Sequence, residues 1–79
     1  MPRFVATVAK GFAPNIVAEA IKQVDPAGIV VVAVHRNMNS YRTSGLILIE
    51  CSEEIAAKIE ERKIEGVKYF AKEIIYSPI

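Results

Sequence analysis

A chain of 79 residues, 52% of them hydrophobic, has room for one small domain spanning residues 1–79 and is too apolar to stay disordered. Its single cysteine, Cys51, excludes an internal disulfide and a cysteine-based metal cluster. The net charge of +1 is near neutral but unevenly spread: residues 1–49 carry five cations against two acids, residues 50–79 carry five against seven, and no acid occurs from Pro26 to Ile49.

The chain opens without a secretory leader and has no apolar run of membrane-spanning length, which predicts a cytoplasmic protein with no membrane partner. One glutamine among many Ile, Val, Glu and Lys residues fits a thermophilic source.

Residues Arg3 to Lys10 are β-branched and apolar and predict a first strand. After the turn at Lys10-Gly11-Phe12-Ala13, Pro14 or Asn15 opens a helix, proline suiting a first helical position and asparagine an N-cap. Ile16, Val17, Ala20, Ile21 and Val24 recur at helical spacing and form its predicted buried stripe. Pro26 disfavours helical geometry at Asp25, so Asp25-Pro26-Ala27-Gly28 ends the helix.

The runs Ile29–Val34 and Gly45–Cys51 predict two more strands, and the polar, acid-free segment 35–44 between them reads as a hairpin. Ser52 is a good N-cap for a second helix, with Glu53 and Glu54 in the first turn, where the helix dipole favours acids. Ile55, Ala56 and Ile59 form its buried stripe, and Glu65-Gly66 ends it. Val67 to Tyr76 is the last predicted strand, and Ser77-Pro78-Ile79 is a tail.

Strand, helix, strand, strand, helix, strand, with right-handed crossovers, folds most compactly as a four-stranded antiparallel sheet with both helices on one face. This is an α+β ferredoxin-like βαββαβ sandwich, with the first and third strands central. On the third strand Gly45, Ile47, Ile49 and Cys51 alternate with Ser44, Leu46, Leu48 and Glu50, so both faces carry large aliphatics. Leu46 and Leu48 therefore predict an interface on the helix-free face, for a protein partner or for a second copy in a homodimer.

The hairpin concentrates residue types that suit a charged partner. Arg36 and Arg42 fit phosphates, Asn37, Asn39 and Ser40 offer hydrogen-bonding side chains, Tyr41 offers a stacking ring, and His35 suits either task. Lys10 precedes a helix start that can hold an anion. The predicted nucleic-acid-binding set is thus Lys10, His35, Arg36, Asn39, Tyr41 and Arg42. Lys68, Tyr69, Phe70 and Lys72 interleave cations with aromatics on the last strand. They read either as an extension of that surface or as an inward aromatic with lysines guarding an edge. His35 is the only histidine and lies at the far end of its hairpin from Cys51, which leaves no Cys–His dyad, no metal-ligand spacing and no expected cofactor. These features predict a non-enzymatic accessory module that binds RNA or a ribonucleoprotein such as the ribosome.

Three resemblances accompany this reading. Ser44-Gly45-Leu46-Ile47-Leu48-Ile49-Glu50-Cys51 followed by Ser52-Glu53-Glu54-Ile55-Ala56 resembles the third strand and second helix of the RNA-recognition motif. That family stacks bases on aromatics of this strand, where the present chain has Leu46 and Leu48. Ala9-Lys10-Gly11-Phe12-Ala13-Pro14-Asn15-Ile16-Val17 resembles the first turn of ACT regulatory domains, with Asn15 where a glycine is usual. The resemblance implies the alternative function, a homo-oligomeric regulatory domain that binds a small ligand near the turn. Acylphosphatase shares the predicted topology, but its phosphate loop contains an arginine and Lys10-Gly11-Phe12-Ala13 has none. A superfold of this kind hosts many functions.

Overall fold

The computed structural model describes residues 1–36 and 42–73. Its elements are β1 (Arg3–Ala9), α1 (Pro14–Lys22), β2 (Val30–Arg36), β3 (Thr43–Glu50), α2 (Glu53–Arg62) and β4 (Val67–Lys72). The four strands form one antiparallel sheet in the order β2-β3-β1-β4, so the first and third strands are central and the fold is the ferredoxin-like α+β sandwich.

Strict alternation along β1 sends Phe4, Ala6 and Val8 to the helix-covered face, all buried. Opposite them on β3 stand Ile49, Ile47 and Gly45, buried as well. Val17, Ala18 and Ile21 of α1 and Ala56 and Ile59 of α2 close the same cluster, which places both helices on that face. Close approach is built in at Gly45. A Cβ there would collide with the His35 carbonyl oxygen of β2 and stand 3.0 Å from the Pro14 ring that starts α1. Gly66 serves similarly at the entry to β4. Its φ of +95° belongs to the left-handed region, and a Cβ would lie 2.8 Å from Val17 and 2.9 Å from Phe12.

The outer strands each contain an irregularity that redirects their side chains. In β2, Val31 lies opposite Ile49 and Ala33 opposite Leu48, leaving Val32 as the extra residue of a bulge. Val31 and Val34, three apart, both pack on the core as a result. In β4, Tyr69 lies opposite Thr7 and Val67 opposite Val8, so Lys68 is the extra residue. Phe70 then faces inward and stacks on Phe4, with ring centroids 5.5 Å apart.

Several local expectations shift. Helix α1 starts at Pro14 with Ala13 as N-cap, so Asn15 is inside the helix and caps nothing. Its buried face is Pro14, Val17, Ala18 and Ile21, whereas Ile16 is 71% exposed and Ala20 is exposed. Val17, Ile21 and Val24 of the expected stripe do face the core, and only its Ile16–Ala20 edge gives way to Pro14 and Ala18, with Pro14 seated by Gly45 and Val17 by Gly66. The helix also stops at Lys22, before the proline. Lys22 Nζ donates to the carbonyls of Pro26 and Ile29, and Asp25 accepts from the Gly28 amide, closing the connection to β2. Ser52 does cap α2, its hydroxyl accepting from Ile55 N at 3.2 Å. That helix ends at Lys63, which adopts the left-handed conformation (φ +47°), ahead of the expected Glu65-Gly66.

The strands flanking the hairpin are longer than expected. His35 and Arg36 belong to β2, and Thr43 and Ser44 belong to β3. The last strand ends at Lys72 and Glu73 lies beyond it, short of the expected Val67–Tyr76; the rest of that expected strand, from residue 74, and the tail after it lie outside the described residues.

Truncating Ile21, fully buried in this cluster, should cost about 2–5 kcal/mol in Ile21→Ala. Ile16→Ala should change stability by less than about 0.5 kcal/mol. Guanidinium unfolding of both variants checks the helix register, and equal losses would contradict it.

Candidate nucleic-acid interface

Pairing in the sheet brings Lys10, His35, Arg36 and Arg42 to one end. Arg36 lies opposite Gly45, and Ala9, the residue before Lys10, lies opposite Thr43, the residue after Arg42. The Gly11 amide donates to Ser44 Oγ at 3.2 Å, which ties the β1–α1 turn to the start of β3. All four side chains are exposed. Of the remaining predicted contacts, Asn39 and Tyr41, with Asn37 and Ser40, lie outside the described residues.

The helix-free face divides into two unlike halves. Over β2 and β3 it is apolar, with Val30 48%, Val32 41% and Leu46 40% exposed and Leu48 partly so. Leu46 and Leu48 therefore lie on the open face, as alternation predicts. Over β1 and β4 the side chains are smaller, Val5, Thr7 and Ala71, and Tyr69 stands among them at 64% exposure. An ion pair closes the end of the face away from the basic residues, with Arg3 Nε 2.9 Å from Glu50 Oε1.

The interleaved segment on β4 splits three ways. Phe70 joins the core and Tyr69 joins the open face. Lys72 reaches across to α2 and bonds Glu53 at 2.5 Å. That ammonium holds the fully exposed Glu53 carboxyl below its ordinary pKa. The exposure of Tyr69 was only half legible in the sequence. The alternation of lysine and aromatic flagged the segment, but the bulge at Lys68 decides which ring turns outward.

Cys51 is fully buried, and desolvation raises its thiol pKa. His35 lies opposite Leu46, five residues from Cys51 along β3, or roughly 16 Å at strand rise. The two cannot form a nucleophile–base pair in this fold. Among the described residues no three His, Cys, Asp or Glu side chains gather where a metal could sit, and no helix is long and apolar enough to cross a membrane.

On the helix side an open groove of about 500 Å³ runs past the β1–α1 turn, lined by Phe12, Ala13, Ile16, Ala20, Ile64 and Glu65. It contains the apolar side chains that α1 leaves outside the core. Comparison with models of protein families, with curated proteins and with solved structures finds no match to this chain.

A buried, protonated thiol should resist alkylation. Native protein at pH 8 should react with a thiol reagent far more slowly than protein unfolded in guanidinium. Immediate stoichiometric labelling of the native state would contradict the burial of Cys51.

Proposed function

We propose that the protein is a non-enzymatic module that binds RNA or a ribonucleoprotein particle such as the ribosome, in the cytoplasm. The observation behind this reading is the gathering of Lys10, His35, Arg36 and Arg42 at one sheet end. Three of these four come from a stretch without a single acid. Exposed cations at a sheet end suit phosphates, which set the position of a protein on RNA without reading its sequence. The apolar β2–β3 half of the open face, with Leu46 and Leu48, then docks on a protein component of the same particle.

Titration with total RNA at low salt tests the reading. Wild-type protein should bind, and log affinity should fall with log salt at a slope near −2 to −3, as expected for about three or four phosphate contacts on single strands. Arg36→Ala combined with Arg42→Ala should weaken binding and flatten the slope by roughly 1.4. Absence of binding at low salt sinks the proposal.

The groove beside the β1–α1 turn favours a second reading, an ACT-like homo-oligomeric domain that holds a small ligand there. It requires a melting temperature that rises with some amino acid and a dimer in sedimentation. A monomer indifferent to every amino acid removes it.

A further inference from the structure

Tyr69, 64% exposed, is the most exposed large hydrophobic side chain among the described strand residues. Its cross-strand neighbour is Thr7, and the next outward pair along the same two strands is Ala71 with Val5. Small side chains on three sides leave the ring standing clear of the sheet. An aromatic at such a position ordinarily leans on a large cross-strand partner.

The bulge supplies the second observation. As the unpaired extra residue of β4, Lys68 is turned toward its neighbour's ring, with Nζ 5.6 Å from the centroid of Tyr69. A cation–π contact at an exposed site is weak, so the ammonium can leave the ring for a phosphate at little cost. Ring and cation together match one nucleotide, the base on the aromatic face and the phosphate on the ammonium.

Position supplies the third. Thr7, beside Tyr69, lies three residues before Lys10 on β1, roughly 10 Å at strand rise. The row across the sheet reads His35, Leu46, Thr7, Tyr69. The basic end thus lies within a few nucleotides of the ring. His35 is on the same face as Tyr69, and Arg36, opposite Gly45, is at the sheet end on the helix-covered face. Glu50, the acid of β3 on the open face, belongs to the opposite end, where it is paired with Arg3.

We infer that Tyr69, with Lys68 beside it, is a stacking site for an unpaired base of single-stranded RNA whose phosphates run onto the basic sheet end. The inference rests on the RNA-binding reading and deepens it. Phosphate contacts alone accept single and double strands alike, whereas a stacking ring requires a base that is free of its partner.

The experiment compares a short unstructured RNA with the same sequence annealed to its complement, by fluorescence anisotropy across a salt series. Wild type should prefer the single strand. Tyr69→Ala should weaken single-strand binding by about 5- to 100-fold. It should leave the duplex affinity, the salt slope and the melting temperature in place, and Tyr69→Phe should retain the preference. Lys68→Ala should flatten the single-strand salt slope by about 0.7. If wild type binds both forms equally, or Tyr69→Ala binds the single strand as wild type does, the stacking site is wrong while the phosphate-binding reading stands. If wild type binds neither form, the reading fails and the stacking site with it.

Discussion

Strand β1 lies between β3 and β4 and pairs with both, and the rest of the molecule is arranged around that constraint. A central strand has no free backbone edge, so its two neighbours must match its register on either side. Its inward residues decrease in bulk from Phe4 to Ala6 before Val8, and Ala6 is the point where Ile47 of β3 and Phe70 of β4 converge. The helices reach this layer through small or branched residues, Ala18, Ala56, Val17 and Ile59. A domain of this size buries a modest fraction of its surface, so close contacts of this kind carry much of its stability.

Each of the three strand pairs contains one register shift, at Ser44 between β1 and β3 and within the two outer strands. The outer strands take the extra residues Val32 in β2 and Lys68 in β4, and each bulge changes which side chains face outward. In β2 the change lets Val31 and Val34 both reach the core. In β4 it packs the partly buried Phe70 against Phe4, leaves Tyr69 in solvent and turns Lys68 beside it. Bulges of this sort are frequent near functional surfaces, where the local bend and break in the ladder re-aim a side chain. The open face consequently has an apolar half over β2 and β3 and a half over β1 and β4 from which, among the described residues, the Tyr69 ring projects.

Charge follows the same geometry. The acids of the second half of the sequence gather largely on α2. One of them, Glu53, is engaged by Lys72 from β4. Lys22 is spent on backbone carbonyls at the end of α1. The cations at the hairpin end of the sheet come from three separate stretches of chain and are brought together by strand pairing. That gathering makes a phosphate-binding reading physically coherent in a protein whose net charge is only +1.

Local residue preference determined the element order, the Ser52 cap and the alternation that places Leu46 and Leu48 outside, through periodicity, turn chemistry and capping within a few neighbouring residues. Right-handed crossovers then turn that order into the ferredoxin-like class with β1 and β3 central. Tertiary structure alone decided the remainder. Ile16 and Val17 are equally apolar, and it is Val17 that is buried, in a helix seated through Pro14 by Gly45 and through Val17 by Gly66. The outward turn of Tyr69 depends on a bulge whose position is set by the register of a strand some sixty residues earlier in the chain. The meeting of Lys10 with Arg36 and Arg42 depends on pairing between β1, β2 and β3, and no local pattern encodes contact between residues so far apart in sequence.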